Sequence, residues 1–168
     1  MKKYYYHLVS NNHWNEGDEI EIGAEGYGMW NDVYNFSAMS EINTEAEKDR
    51  TIEEYDFIIR ELAAEEVRQK EFPNFPSRLR CLWLCEDIKD CKKRVATYRR
   101  LGKKIDQIVK VELNGKILNV NPENLPKSRK TYNEYMQCAR KFFTDNEKRE
   151  NSVIMFTGKL KVIKSYKV

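Results

Sequence analysis

Apolar positions recur along the chain with two periods, about two and about three and a half residues, and the switches between them mark out strands and helices. Tyr4 to Val9 is aromatic and β-prone and predicts a first strand. Asn11 to Gly17 is a polar turn, and Glu19 to Ile22 alternates acidic and apolar residues as a short strand does. Thr51 to Lys70 carries Tyr55, Ile58, Ile59 and Leu62 on one face at helical spacing. Thr51 and Glu54 supply a capping box at its start. Phe72-Pro73-Asn74-Phe75-Pro76 stops it, because proline can neither donate nor continue a helix.

Leu79 to Cys85 is a dense apolar run and reads as a buried strand. Asp87 then caps a helix whose inner face carries Ile88, Cys91, Val95 and Tyr98, with Gly102 at its C-terminal end. Ile108 to Leu113 alternates, with Val109, Val111 and Leu113 on one face. Asn114-Gly115 has hairpin chemistry, so Lys116 to Val120 is expected to return as a separate strand. Tyr132, Tyr135, Met136, Ala139 and Phe143 form the inner face of a further helix. Ser152 to Phe156 and Lys159 to Ile163 alternate around Thr157-Gly158 and are expected to form a final strand pair. The outline is a mainly antiparallel sheet flanked by about three helices, an α+β domain spanning residues 1–168. The stretch from Gly23 to Phe36 holds three glycines with Tyr27, Trp30, Tyr34 and Phe36. It is expected to be an irregular loop packed over core, partner or ligand.

Composition narrows the classes. Both signs of charge are interspersed and the net is only +3, which argues against a nucleic-acid partner. The basic cluster Lys92, Lys93, Arg94, Arg99, Arg100, Lys103 and Lys104 reads first as the wet face of an amphipathic helix. No apolar run approaches the ~20 residues that cross a bilayer, and Met1 to His7 lacks a signal-peptide pattern. The expectation is a cytoplasmic chain with no membrane partner. Cys81, Cys85, Cys91 and Cys138 have neither disulfide-framework nor zinc spacing. They are expected to be buried free thiols with no metal, and Cys81 and Cys85, inside an apolar run, are expected to be inert.

The candidate chemistry has two readings at each point. His7 either bonds a ligand at a strand end or is an ordinary strand histidine bonded to backbone. Pro73 and Pro76 stiffen the approach to Ser77-Arg78, where the guanidinium either binds phosphate or carboxylate bidentately or pairs with a helix acid such as Glu65 or Glu66. Glu65 and Glu66 are adjacent on a helix and point apart, so a solvated face or a pair with Arg68 is expected before acid–base work. No glycine-rich dinucleotide loop, P-loop or nucleophile elbow is present.

The order of the pieces is more telling than any one. Tyr5-Tyr6-His7-Leu8 resembles the first-strand aromatic–histidine motif of ADP-ribosyltransferases of the diphtheria-toxin-like and poly(ADP-ribose)-polymerase-like branch. Glu66-x-Arg68, Phe72-Pro73-Asn74-x-Pro76-Ser77-Arg78-Leu79 and Leu82-Trp83-Leu84 resemble an uncharacterised microbial domain family near that fold, with its split antiparallel sheet. The resemblance implies NAD as substrate, with His7 donating to the nicotinamide-side ribose and an aromatic, Tyr6 or Trp30, stacking on nicotinamide. From chemistry, Ser77 and Arg78 are expected near the phosphates. The resemblance also wants an acid at the start of the last strand to stabilise an oxocarbenium-like transition state. Ser152 holds that place, and Glu150, two residues earlier, is the candidate. Where such transferases carry Tyr-Phe-Ser/Thr, this chain has Leu82-Trp83-Leu84-Cys85. Three classes stay open: an ADP-ribosyltransferase with a protein acceptor or water, a catalytically inactive module for NAD or a related nucleotide, and a protein-interaction domain using the aromatic loop.

Overall fold

A computed structural model describes residues 3–10, 13–24, 28–36 and 41–168. Among these residues five strands and four α-helices follow in the order β1 (Tyr4–Val9), β2 (Glu19–Ile22), α1 (Trp30–Tyr34), α2 (Glu45–Glu71), β3 (Leu82–Leu84), α3 (Ile88–Arg100), β4 (Gln107–Val120), α4 (Tyr132–Thr144) and β5 (Val153–Lys167). A 3₁₀ turn, Pro122–Asn124, precedes α4. Every strand pairing is antiparallel, so the molecule is α+β.

The frame is the long ladder of β4 on β5, which runs from Gln107↔Lys167 to Val120↔Val153. β1 extends it on the β4 side, while β2 and β3 pair with different stretches of β5 on the other side. Tyr6 and Cys85 then exchange backbone hydrogen bonds of 2.9 and 2.8 Å. This single bridge brings the β1 edge back to the end of β3.

Neither expected hairpin forms. Asn114-Gly115 and Thr157-Gly158 lie inside β4 and β5, and Gly115 and Gly158 are direct partners across the ladder. A Cβ on Gly115 would stand 2.2 Å from the Thr157 carbonyl oxygen, and one on Gly158 would stand 2.6 Å from that of Asn114. The glycines serve a close approach of two backbones rather than a turn.

α2 begins earlier than expected. Thr44 accepts from the Glu47 amide and Glu47 accepts from that of Thr44, a capping box one repeat upstream of the Thr51/Glu54 pair. Thr51 instead sits within the helix and donates to the Glu47 carbonyl. The first turns carry no apolar stripe, and Lys48–Glu45 and Arg50–Glu54 pairs support them. The expected inner face of α2 is also revised: Tyr55 and Ile59 are exposed, whereas Ala63, Ala64 and Val67 are buried. These small residues let α2 approach Tyr135, Ala139, Phe142 and Phe143 of α4 over Val120 and Met155 of the sheet.

α3 keeps its expected stripe. Asp87 caps it, Cys91 and Val95 are buried with Ile108, and Ile88 and Tyr98 flank them. Gly102 follows in a left-handed conformation with φ +77°. α4 is capped by Thr131 and Glu134, and its Tyr132 is more exposed than the stripe suggested. The expected aromatic loop contains α1, where Trp30 stacks on Tyr34 at 4.1 Å. Tyr27 lies outside the described residues.

Candidate functional site

The backbones of β1 and the end of β3 pair through the isolated Tyr6–Cys85 bridge, and a cleft of about 300 Å³ opens beside it. Tyr6, His7 and Ser10 come from β1 and its end, Trp83 to Cys85 from β3 and its end, and Arg94 and Tyr98 from α3. Lys103 and Val153 complete the rim. A second cleft of about 390 Å³ shares Arg94 and Tyr98 and is bordered by Asp90, Lys93, Pro122 and Glu150. Arg94 and Tyr98 lie one helical turn apart on the flank of the α3 stripe, which places both at the boundary of the two clefts.

His7 spans the opening. Its Nδ1 lies 2.9 Å from the Trp83 carbonyl oxygen. A carbonyl only accepts, so Nδ1 carries the proton and the tautomer is set. Trp14 stacks on the ring at 5.2 Å. Burial disfavours the imidazolium and pushes the pKa down to about 4, against the smaller upward pull of the Trp83 carbonyl. A neutral ring held this way keeps Nε2 as an acceptor.

Arg94 joins the two clefts. Its Nη2 donates to the carbonyls of Asn151 and Ser152, at 3.5 and 3.4 Å, just ahead of β5. Ser152 Oγ donates to Asn121 Oδ1 at 2.6 Å, so the side chain at the expected acid position is engaged with the loop before α4. Glu150 is exposed on the second cleft.

The remaining singled-out residues lie elsewhere. Ser77 and Arg80 border a separate groove with Glu65, Arg68 and the Gly115/Gly158 crossing. Ser77 Oγ donates to Glu65 at 2.7 Å, and Arg68 pairs with Glu65 at 2.8 Å. Arg78 is largely enclosed and donates through Nε and Nη2 to the two oxygens of Glu61, both at 2.9 Å. Its guanidinium also covers the Phe142 ring, 4.7 Å from the centroid. This is the helix-acid alternative, although the acid is Glu61 rather than Glu65 or Glu66. Trp30 stacks under the Arg80 guanidinium at 3.8 Å. The structure thus brings Tyr6, His7 and Glu150 to adjoining clefts and sets Trp30, Ser77 and Arg78 apart from them.

The residues missed from the sequence are Ser10, Cys85, Arg94, Tyr98 and Lys103. Arg94 and Lys103 were hidden in the basic cluster. Arg94 is the member beside the Cys91/Val95 stripe, and that spacing was the available signal. Cys81 is buried and its thiol is pushed up to about 12 by burial, as expected for an inert cysteine. Cys85 differs, because it lines the cleft and its thiol is held below the ordinary range, first by a hydrogen bond from Cys91 and also by Arg94.

Among the described residues, no group of histidine, cysteine and acidic side chains is arranged to hold a metal, and no helix is long and apolar enough to cross a membrane. The fold and site therefore define an α+β protein with a half-enclosed, basic-rimmed double cleft beside its first strand. The chain belongs to DUF2441, a family described as protein of unknown function, which it matches over residues 5–168. No curated protein matches it.

Proposed function

We propose that the chain is an ADP-ribosyltransferase-like protein that takes NAD into the double cleft and cleaves the bond between nicotinamide and ribose. One observation carries this reading. Three segments far apart in sequence, Tyr6 to Leu8, Trp83 to Cys85 and Glu150 to Val153, meet around Arg94 and Tyr98. They are the segments to which the resemblance assigns the NAD site.

The chain's own groups divide the work. His7 Nε2 accepts from a ribose hydroxyl and so orients the sugar. Arg94 and Lys103 supply positive charge for the diphosphate. Tyr6 or Tyr98 offers a ring for nicotinamide. Glu150 stabilises the positive charge that grows on the ribose as nicotinamide leaves. Water or a protein side chain then bonds to the anomeric carbon and gives up its proton.

Nucleotide binding without turnover is the second reading. It is favoured by the engagement of Ser152 with Asn121 at the expected acid position.

The test is NAD binding and nicotinamide release by the purified protein and by His7→Ala, Arg94→Ala and Glu150→Gln. The enzyme reading expects binding weakened at least about tenfold in Arg94→Ala, the usual cost of losing a charge-assisted hydrogen bond, and release abolished in Glu150→Gln. Binding with no release in the wild type selects the inactive module. Absence of binding rejects both.

A further inference from the structure

Cys85 and Cys91 pack together in one small cluster, with Ile108 and Val95 around them. They stand on different elements, Cys85 at the end of β3 and Cys91 in the first turns of α3. Each thiol is the first influence on the other's protonation. Cys85 is 8% exposed and faces the cleft, whereas Cys91 is wholly enclosed. Arg94 stands next to Cys85, and Asp90 is the opposing charge nearby.

We propose that Cys85 and Cys91 are a peroxide-reactive dithiol, in which Cys85 is the attacking thiol and Cys91 resolves it to a disulfide. The assignment of roles follows from access: of the two, Cys85 lines the cleft and Cys91 is fully buried. It also follows from charge. The neighbouring Cys91 thiol and the Arg94 guanidinium favour thiolate at Cys85, while Cys91 is raised by Cys85 and by its burial.

The chemistry balances with a hydroperoxide as oxidant. The Cys85 thiolate attacks one peroxide oxygen, an S–O bond forms and the O–O bond breaks; the departing hydroxide or alkoxide takes up from solvent the proton that Cys85 gave up on ionising, leaving a sulfenic acid and water or an alcohol. Cys91 sulfur then bonds to Cys85 sulfur, and the departing hydroxide takes the Cys91 proton to become water. Two thiols lose two electrons in total and the peroxide gains them. The new bond ties the end of β3 to the start of α3 at the mouth of the cleft. None of this depends on what the cleft binds.

The test uses reduced full-length protein treated with stoichiometric hydrogen peroxide, alkylated under denaturing conditions and mapped after trypsin cleavage. Trypsin cuts after Arg80, Lys89 and Lys92, so the disulfide appears as the Cys91 peptide linked to the 81–89 peptide, in which fragmentation must place the link on Cys85 and leave Cys81 alkylated. The expected result is that link, with Cys138 still alkylated. In Cys91→Ser, Cys85 should stop at sulfenic acid and react with dimedone. In Cys85→Ser, Cys91 should stay reduced. Oxidation at the half-buried Cys138 while Cys85 and Cys91 both remain alkylatable would overturn the proposal. So would dimedone labelling of Cys91 in the wild type. The wild-type map decides the matter even if one variant does not fold.

Discussion

Glu61 is fully enclosed on α2, and a carboxylate there persists as an ion only because Arg60 and Arg78 both reach it. Burial pulls its pKa up, but the two guanidiniums outweigh that and hold it below the ordinary carboxylate range. Removing Arg78 would leave a buried charge with half its compensation. Arg78→Ala should therefore lower unfolding free energy by ~3–5 kcal/mol, the usual cost of breaking a buried ion pair. Arg78→Lys should recover little, because an ammonium cannot span both oxygens. Urea denaturation measures both variants. A loss below about 1 kcal/mol for Arg78→Ala would show that the pair is not structural.

At the scale of elements, β4 and β5 are the members on which sequence patterns misled most. Each contains a glycine that reads as a turn, and the two glycines face each other in the ladder. An alternating strand interrupted by Asn-Gly is locally indistinguishable from a hairpin, because the partner that makes the glycine necessary is more than forty residues away. Gly115→Ala places a methyl against the Thr157 carbonyl and the Gly158 backbone, neither of which is a flexible side-chain end. It should cost ~2 kcal/mol or more by forcing the strands apart. A shift in thermal midpoint of several degrees would register it. Gly102→Ala is the contrast, since nothing lies within 4 Å of its Cβ and only the positive φ is strained. It should cost ~1 kcal/mol. Equal effects at the two sites would remove the close-approach account of Gly115.

At the scale of the whole molecule, the fold's dependence on pH follows from linkage. His7 has a folded pKa near 4 against an ordinary value of 6.5. Between those values the unfolded chain holds a proton at His7 that the folded chain does not. Stability contributed by neutral His7 is thus complete above about pH 6.5 and is lost as pH falls toward 4. The full span is on the order of 3 kcal/mol, at about 1.4 kcal/mol per unit. Carboxylates such as Glu71 and Asp145, held low by Arg140 and by Asn124 with Arg149 respectively, lose their contributions as pH falls further. Chemical denaturation from pH 5 to 7 should show a positive slope in the wild type that His7→Asn flattens. An unchanged slope would mean that His7 is not held neutral.

What this sequence determined alone was local. The spans of β1 and β2, the Asp87 and Gly102 ends of α3, and the α3 apolar stripe all follow from propensity, capping and period, which neighbours in sequence set. Residue type and order also singled out Tyr6, His7 and Glu150, which border two adjoining clefts. Tertiary structure alone decided which of those residues meet. It sent Arg78 to Glu61 and Ser77 to Glu65, because a buried charge or hydroxyl takes the nearest partner that the fold supplies. It ran β4 and β5 through their glycines, because the ladder's close approach is a long-range requirement. It brought Cys85, Arg94 and Tyr98 together at one opening, because the Tyr6–Cys85 bridge and the packing of α3 on β1 depend on contacts that no local pattern encodes.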